Sequence, residues 1–199
     1  CAVVESLEKG RQLIRWDEKK KAYQNQTGDV RRGLGVACFS YGSGTYPACV
    51  EISGARLILN PDGSVHLQIG ATEIGQGSDT AFCQMAAETL GVTYDNIHVV
   101  STQDTDVTPF DTGAYASRQT YVVAPAVKQA AEQLRAGILE HAALMTGQVP
   151  EALDLIDGDI VFANRPAKVV LPLAEVALDA YYHKDRGRQL TADVSYKTR

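Results

Sequence analysis

The stretch 65–91 constrains the fold of this chain more than any other. Val65, Leu67 and Ile69 alternate with His66 and Gln68, the period-two pattern of a strand with one buried face. Gly70-Ala-Thr-Glu-Ile-Gly75-Gln76-Gly77 follows, and then Ala81, Phe82, Met85, Ala86, Thr89 and Leu90 recur at helical spacing until Gly91 ends them. Strand, glycine-rich turn, helix is an order in which the helix must pack back on a sheet. Just upstream, residues 54–59 form an apolar run joined to Val65 through Asn60-Pro61-Asp62-Gly63, where proline presets one turn torsion and glycine supplies another. The two runs predict a β-hairpin with one buried face.

The rest of the chain adds elements on both sides. Val3, Val4, Leu7, Leu13 and Ile14 give residues 1–20 a helical pattern, broken by Gly10 and ending in Lys19-Lys20-Lys21. Residues 23–32 are polar and read as a loop or arm, and residues 33–39, Gly-Leu-Gly-Val-Ala-Cys-Phe, as a buried strand. A short strand at 97–100 precedes a loop at 101–113 rich in Asp, Thr and Pro. A long helix then carries Ala126, Val127, Ala130, Leu134, Ile138 and Met145 on one stripe, with Pro125 in its first turns. Residues 159–163 predict a strand, 173–181 a helix and 190–196 a last strand. Strands and helices interleave without the regular spacing of a doubly wound sheet. The expected class is therefore α/β of the α+β type, a two-layer sandwich of mixed sheet and helices. At 199 residues the chain fits one domain or two small ones. The boundaries expected are 1–32, an N-terminal helix and polar arm, and 33–199, the main domain.

Composition removes several function classes. With 45% hydrophobic and 22% charged residues the chain is an ordinary globular sequence, with no apolar run approaching the ~18 to 20 residues that cross a bilayer and no signal-peptide order in its first residues. A net charge of −5 argues against nucleic acid, and Lys19-Lys20-Lys21 with Arg31-Arg32 read as a solvated face or linker. Cys1, Cys38, Cys49 and Cys83 form no CxxC pair and are too sparse for a disulfide scaffold, so they read as reduced thiols of a cytoplasmic protein. His66, His98, His141 and His183 stand apart from every cysteine, which leaves no zinc or iron-sulfur pattern. Asp104, Asp106 and Asp111 read as turn residues, because Pro109 stands where a calcium loop needs glycine. Neither nucleotide motif fits: no lysine follows Gly77, and Thr80 replaces the third glycine of GxGxxG. No Gly-x-Ser-x-Gly elbow occurs. A first residue of Cys1, without an initiator Met, suggests a processed product or a piece of a longer chain.

Two loops carry chemistry. Gly75-Gln76-Gly77 sits where a helix begins, and there unpaired amides and the positive end of the helix dipole favour an anion. Glycine on both sides of Gln76 lets a ligand approach the main chain; the alternative is a tight turn capped by Ser78 or Asp79. The second loop is Phe110-Asp-Thr-Gly-Ala-Tyr-Ala116-Ser117-Arg118-Gln119-Thr120. Its short polar groups at a helix start and the planar cation of Arg118 would suit phosphate; the alternative is a Ser117 cap with Arg118 facing water.

At these loops the sequence resembles a known family. Gly54-Ala-Arg-Leu-Ile-Leu-Asn-Pro-Asp-Gly-Ser-Val, Gly70-Ala-Thr-Glu-Ile-Gly-Gln-Gly and Gly113-Ala-Tyr-Ala-Ser-Arg-Gln-Thr are similar to segments of the molybdenum-binding subunit of the xanthine dehydrogenase family. The likeness runs from Gly33 to Met145. It implies molybdenum with molybdopterin or its cytosine dinucleotide form, with Gly75, Gln76 and Gly77 near the metal end and Ala116, Ser117, Arg118 and Gln119 on the pterin or its phosphate. It implies Phe39 beside the substrate ring. It further implies hydroxylation of N-heterocycles or aldehydes with oxygen from water, and iron-sulfur and FAD groups on partner subunits or domains. The family's glutamate base, in a Gly-Val-Gly-Glu-like segment, has no counterpart here, so the resemblance implies part of a larger subunit. The competing expectation is a non-catalytic scaffold or interaction domain in which the glycine turns only shape the fold.

Overall fold

A computed structural model describes residues 2–45, 49–100 and 104–198. Cys1 and the first residues of the expected loop at 101–113 lie outside them. Contacts divide the chain into two compact units, Cys1–Tyr41 and Gly42–Arg199, so the division falls later than the boundary expected at 32/33.

The first unit holds two helices, α1 (Val3–Leu13) and α2 (Trp16–Ala22). Gly10 does not break the helix as expected. A lone helical glycine costs only about 1 kcal/mol, and the break falls instead at Arg15, which takes a left-handed conformation at φ 56°. Arg11 spans the break and donates to both carboxylate oxygens of Asp17, at 3.1 and 3.2 Å. Residues 33–39 are not the buried strand that their apolar run predicts. They pair with no strand, and all except the half-buried Leu34 are exposed. An apolar run predicts burial, but only a ladder partner makes a strand.

The second unit is built on a four-stranded sheet of β1 (Ile52–Leu59), β2 (Val65–Ile69), β3 (Ile97–Val100) and β7 (Thr191–Lys197), in the order β3-β2-β1-β7. The hairpin pairs Ala55 with Ile69 through Leu59 with Val65, its turn closed by Gly63 at φ 85°. β3 runs parallel to β2, and β7 antiparallel to β1, which makes the sheet mixed. Ala55, Leu57 and Leu59, with Val65, Leu67 and Ile69, point their side chains into one core. Two helices cover that face, α3 (Ser78–Leu90) and α4 (Ala124–Thr146). The stripe read from the sequence is buried at Ala126, Val127, Ala130, Leu134 and Ile138, and Met145 packs against its edge. Alanine at 86, 87, 130 and 131 keeps the facing helix surfaces thin, allowing close approach.

A second sheet closes the unit. β4 (Leu153–Ile156), β5 (Asp159–Phe162) and β6 (Arg165–Pro172) form an antiparallel meander, of which the sequence pattern predicts only β5. β6 shows no alternation to read, since only Leu171 is buried along it. α5 (Leu173–Tyr182) follows and buries Leu173, Val176, Ala177 and Ala180. The mixed sheet under a helical layer agrees with the expected two-layer class.

Candidate functional site

Strand directions bring both glycine-rich loops to one edge of the mixed sheet. The start of β1 lies beside the end of β2 in the antiparallel register, and the end of β7 lies on its other side. The loop after β2 (70–77), the loop before α4 (109–119) and the described residues just before β1 (49–51) all rise from that edge. Gly54 donates its N–H to the Phe110 carbonyl at 3.1 Å. A Cβ on Gly70 would overlap the Pro109 carbonyl oxygen and sit 3.1 Å from the Asp111 nitrogen, so only glycine lets these two loops touch. Gln119 Nε2 completes the junction by donating to the Thr72 carbonyl at 3.2 Å.

In the first loop the helix start is already supplied with an anion from within. Glu73 Oε1 accepts the N–H groups of Gly75 at 2.7 Å and Gly77 at 3.1 Å, while Oε2 accepts Asp79 N–H and the Ser78 hydroxyl, both at 3.1 Å. The amides of Asp79, Gly77 and Gly75 and the Ser78 hydroxyl hold the Glu73 carboxyl down at about 2, against the opposing effect of burial. Neither Ser78 nor Asp79 caps α3; the N-cap is Gly77, left-handed at φ 82°. Gln76 folds back on the same loop, with Oε1 accepting Ile74 N–H at 2.6 Å and Nε2 donating to the Thr72 carbonyl and Ser78 Oγ. Outward, Gly75 and Gly77 have positive φ, and a Cβ on either would meet nothing within 4 Å, so the main chain of the turn is open.

The second loop is locked by a cation. Arg118 is fully buried, which contradicts the water-facing alternative. Its Nε donates to Glu51 Oε1 at 3.0 Å, Nη1 to Asp111 Oδ1 at 2.6 Å and to the Gly113 carbonyl at 3.0 Å, and Nη2 to the Ile52 carbonyl at 3.1 Å. Tyr115 adds its ring face, 5.5 Å from the guanidinium carbon. Burial pulls the Arg118 pKa down, but Asp111 and Glu51 outweigh it and the net direction is up. Burial likewise opposes ionisation of Glu51, and Thr45 N–H and Arg118 carry it below the usual carboxylate range.

The backbone beside this clamp is strained. Ala116 at φ 47° and Ser117 at φ 55° are consecutive left-handed residues without the freedom of glycine, a conformation costing ~1 to 2 kcal/mol each. Ser117 therefore does not cap the next helix; a π-helical turn, Gln119–Val123, leads into α4. Gly44 N–H holds the strained pair through the Ala116 carbonyl at 2.5 Å. Two buried acceptors of the loop, Asp111 Oδ2 and Gln119 Oε1, have no hydrogen-bond partner among the described residues. Strain and orphaned acceptors at one place are what a ligand site stores and a plain turn does not.

Residues 9–199 match the family model of the molybdopterin cofactor-binding domain. The chain belongs to that family. Over 194 residues this molybdopterin cofactor-binding chain is 55% identical to the xanthine dehydrogenase molybdenum-binding subunit of Escherichia coli O157:H7, covering 98% of this chain and 26% of that subunit. It is 30% identical over 161 residues to the carbon monoxide dehydrogenase large chain of Afipia carboxidovorans, covering 76% of this chain and 19% of the other. Among solved structures it is similar to quinoline 2-oxidoreductase from Pseudomonas putida 86, with a TM-score of 0.63 and 26% identity over 73% of this chain and 19% of that one. The chain thus spans about a quarter of the length of its Escherichia coli relative. The family match decides for a cofactor-binding domain against a scaffold in which the turns only shape the fold.

The structure gathers Gly75, Gln76, Gly77, Ala116, Ser117, Arg118 and Gln119 in one unit and sets Phe39 in the other, 93% exposed and not a core aromatic. Sequence reasoning misses Glu73, Glu51 and the second role of Asp111. Glu73 has a signal, an acidic side chain just ahead of a helix start. Glu51 has none, because 67 residues separate it from Arg118.

Proposed function

We propose that this chain is the cofactor-binding portion of a molybdenum hydroxylase that oxidises N-heterocycles, xanthine or hypoxanthine among them, or aldehydes with water-derived oxygen. The observation that carries the reading is the junction of two loops, one with open main chain at Gly75 and Gly77, the other with strained backbone and orphaned acceptors at 111–119. That surface fits a flat organic cofactor rich in N–H groups better than a bare ion. Gly75, Gln76 and Gly77 would admit its edge to the main chain, Gln119 Oε1 would accept an N–H, and Ala116 and Ser117 would present their backbone. Arg118 serves this site by holding the loop, since its nitrogens already bond Glu51, Asp111, Gly113 and Ile52. When bound, the molybdenum cofactor supplies a redox-active metal able to accept two electrons. Exposed Phe39 would contact the substrate ring, and iron-sulfur and flavin groups on partner subunits or domains would remove the electrons.

Supporting a cytoplasmic setting, Cys38, Cys49 and Cys83 are free thiols; no helix of the described residues is long and apolar enough to cross a membrane. The acidic net charge supports a small-molecule substrate over nucleic acid. The test is metal and pterin analysis of the full-length subunit that carries this chain, alongside the 199-residue chain itself. The expected result is one molybdopterin per full-length subunit with purine or aldehyde oxidation, and no turnover from the shorter chain. Full-length protein free of molybdenum and pterin after expression in a cofactor-producing host would reject the reading.

A further inference from the structure

We infer that Glu73 is a positioning residue, whose carboxylate shapes the turn at 75–77 into the form that receives the cofactor. This rests on the functional reading above and deepens it. The four bonds to Glu73 come from three backbone amides, those of Gly75, Gly77 and Asp79, and from the Ser78 hydroxyl. Gly75 at φ 95° and Gly77 at φ 82° are left-handed, and nothing lies within 4 Å of where their Cβ atoms would be. On that open side no side chain braces the turn, and from within Glu73 accepts from both glycines. The same carboxylate fills the positive end of α3, so a cofactor anion has no vacant helix N-terminus to enter here. A ligand meets the outer surface of a turn already tied from inside.

The chemistry of Glu73 sets a ranking among its variants. In Glu73→Gln the amide oxygen still accepts Gly75 and Gly77, but the amide nitrogen faces the Asp79 N–H, donor against donor, and the charge is gone. In Glu73→Ala all four bonds are lost. Gly147→Ala serves as the control. Gly147 has φ 67° with open space around it, so alanine there is strained without a clash, and it follows the far end of the 23-residue α4, ~34 Å from the end that borders the site.

All three variants are made in the full-length subunit. Amide exchange of the peptide covering 74–79 is measured on cofactor-free protein, and molybdenum and pterin per subunit after gel filtration. The inference expects faster exchange and cofactor affinity lowered about tenfold in Glu73→Ala. Glu73→Gln should recover part of both, and Gly147→Ala should match the wild type in both. Unchanged exchange in Glu73→Ala overturns the inference, and so does faster exchange with wild-type cofactor content. A Gly147→Ala loss as large as that of Glu73→Ala overturns it too, because general destabilisation would then account for both. Wild-type protein holding no cofactor rejects the functional reading separately, while the exchange measurement still decides whether Glu73 holds the turn.

Discussion

The two loops of the site solve the same problem with opposite charges. At 70–77 an anion gathers amides: Glu73 is only partly buried and collects backbone N–H groups from the turn it belongs to. At 111–119 a cation gathers acceptors: Arg118 is wholly buried and collects two carboxylates and two carbonyls from two separate segments, 51–52 and 111–113. The first arrangement is local and borders water, so its loss leaves donors that solvent can reach. The second is long-range and dry, so its loss leaves charges that solvent cannot reach. The backbones differ too: one loop is open glycine, and the other holds strained Ala116 and Ser117 beside the buried clamp.

The largest effect that this comparison predicts is from Arg118→Ala. Stranding Glu51 and Asp111 should cost about 3 to 5 kcal/mol of unfolding free energy, read from a urea midpoint, with lysine restoring only part. A loss under ~1 kcal/mol would mean the clamp is not formed in solution. Next comes Gly70→Ala, which drives a methyl group into the Pro109 carbonyl at the point where the loops meet. Roughly 1 to 3 kcal/mol should be lost, and cofactor content should fall with helical content intact. Wild-type values for both would show that the loops do not touch there. Gly77→Ala should be milder, ~1 to 2 kcal/mol, because its position is strained in φ but open in space; an effect larger than that of Gly70→Ala would reverse the ranking.

Those predictions also mark what the sequence can reveal. The hairpin, α3 and α4 are legible because Val65, Leu67 and Ile69 alternate and the α4 stripe recurs at helical spacing. Residues 33–39 mislead because glycine and apolar residues look alike whether or not a strand lies beside them. β4 and β6 escape the pattern because β4 is only four residues long and β6 buries only Leu171 along its length. At the site, glycine marks both loops. The charges that hold them are harder to see: Arg118 reads in sequence as a binder of phosphate, yet its partners are Glu51 and Asp111, and that pairing is visible only after folding.

The smallest predicted effect is on acid stability. Glu73, held by backbone amides, and Asp179, held chiefly by Arg186 and then by His141, both sit at about 2. Unfolded carboxylates titrate near ~4, so the stabilisation from each is complete above that value and is lost as pH falls toward 2. Glu73→Gln should therefore lose less stability than the wild type between about pH 5 and 3, by urea midpoints. Asp179→Asn should behave the same way from α5, outside the site. Parallel curves for Glu73→Gln and wild type would remove the ionised carboxylate from the turn.

A crystal structure of the cofactor-loaded full-length subunit tests the central claim most directly, that each loop is tied by its own charge before a ligand arrives. The expected result keeps Glu73 on the amides of Gly75, Gly77 and Asp79, and Arg118 on Glu51 and Asp111, with cofactor atoms against the outer faces of 75–77 and 116–119. Glu73 swung away, with a cofactor anion on those amides in its place, would contradict it.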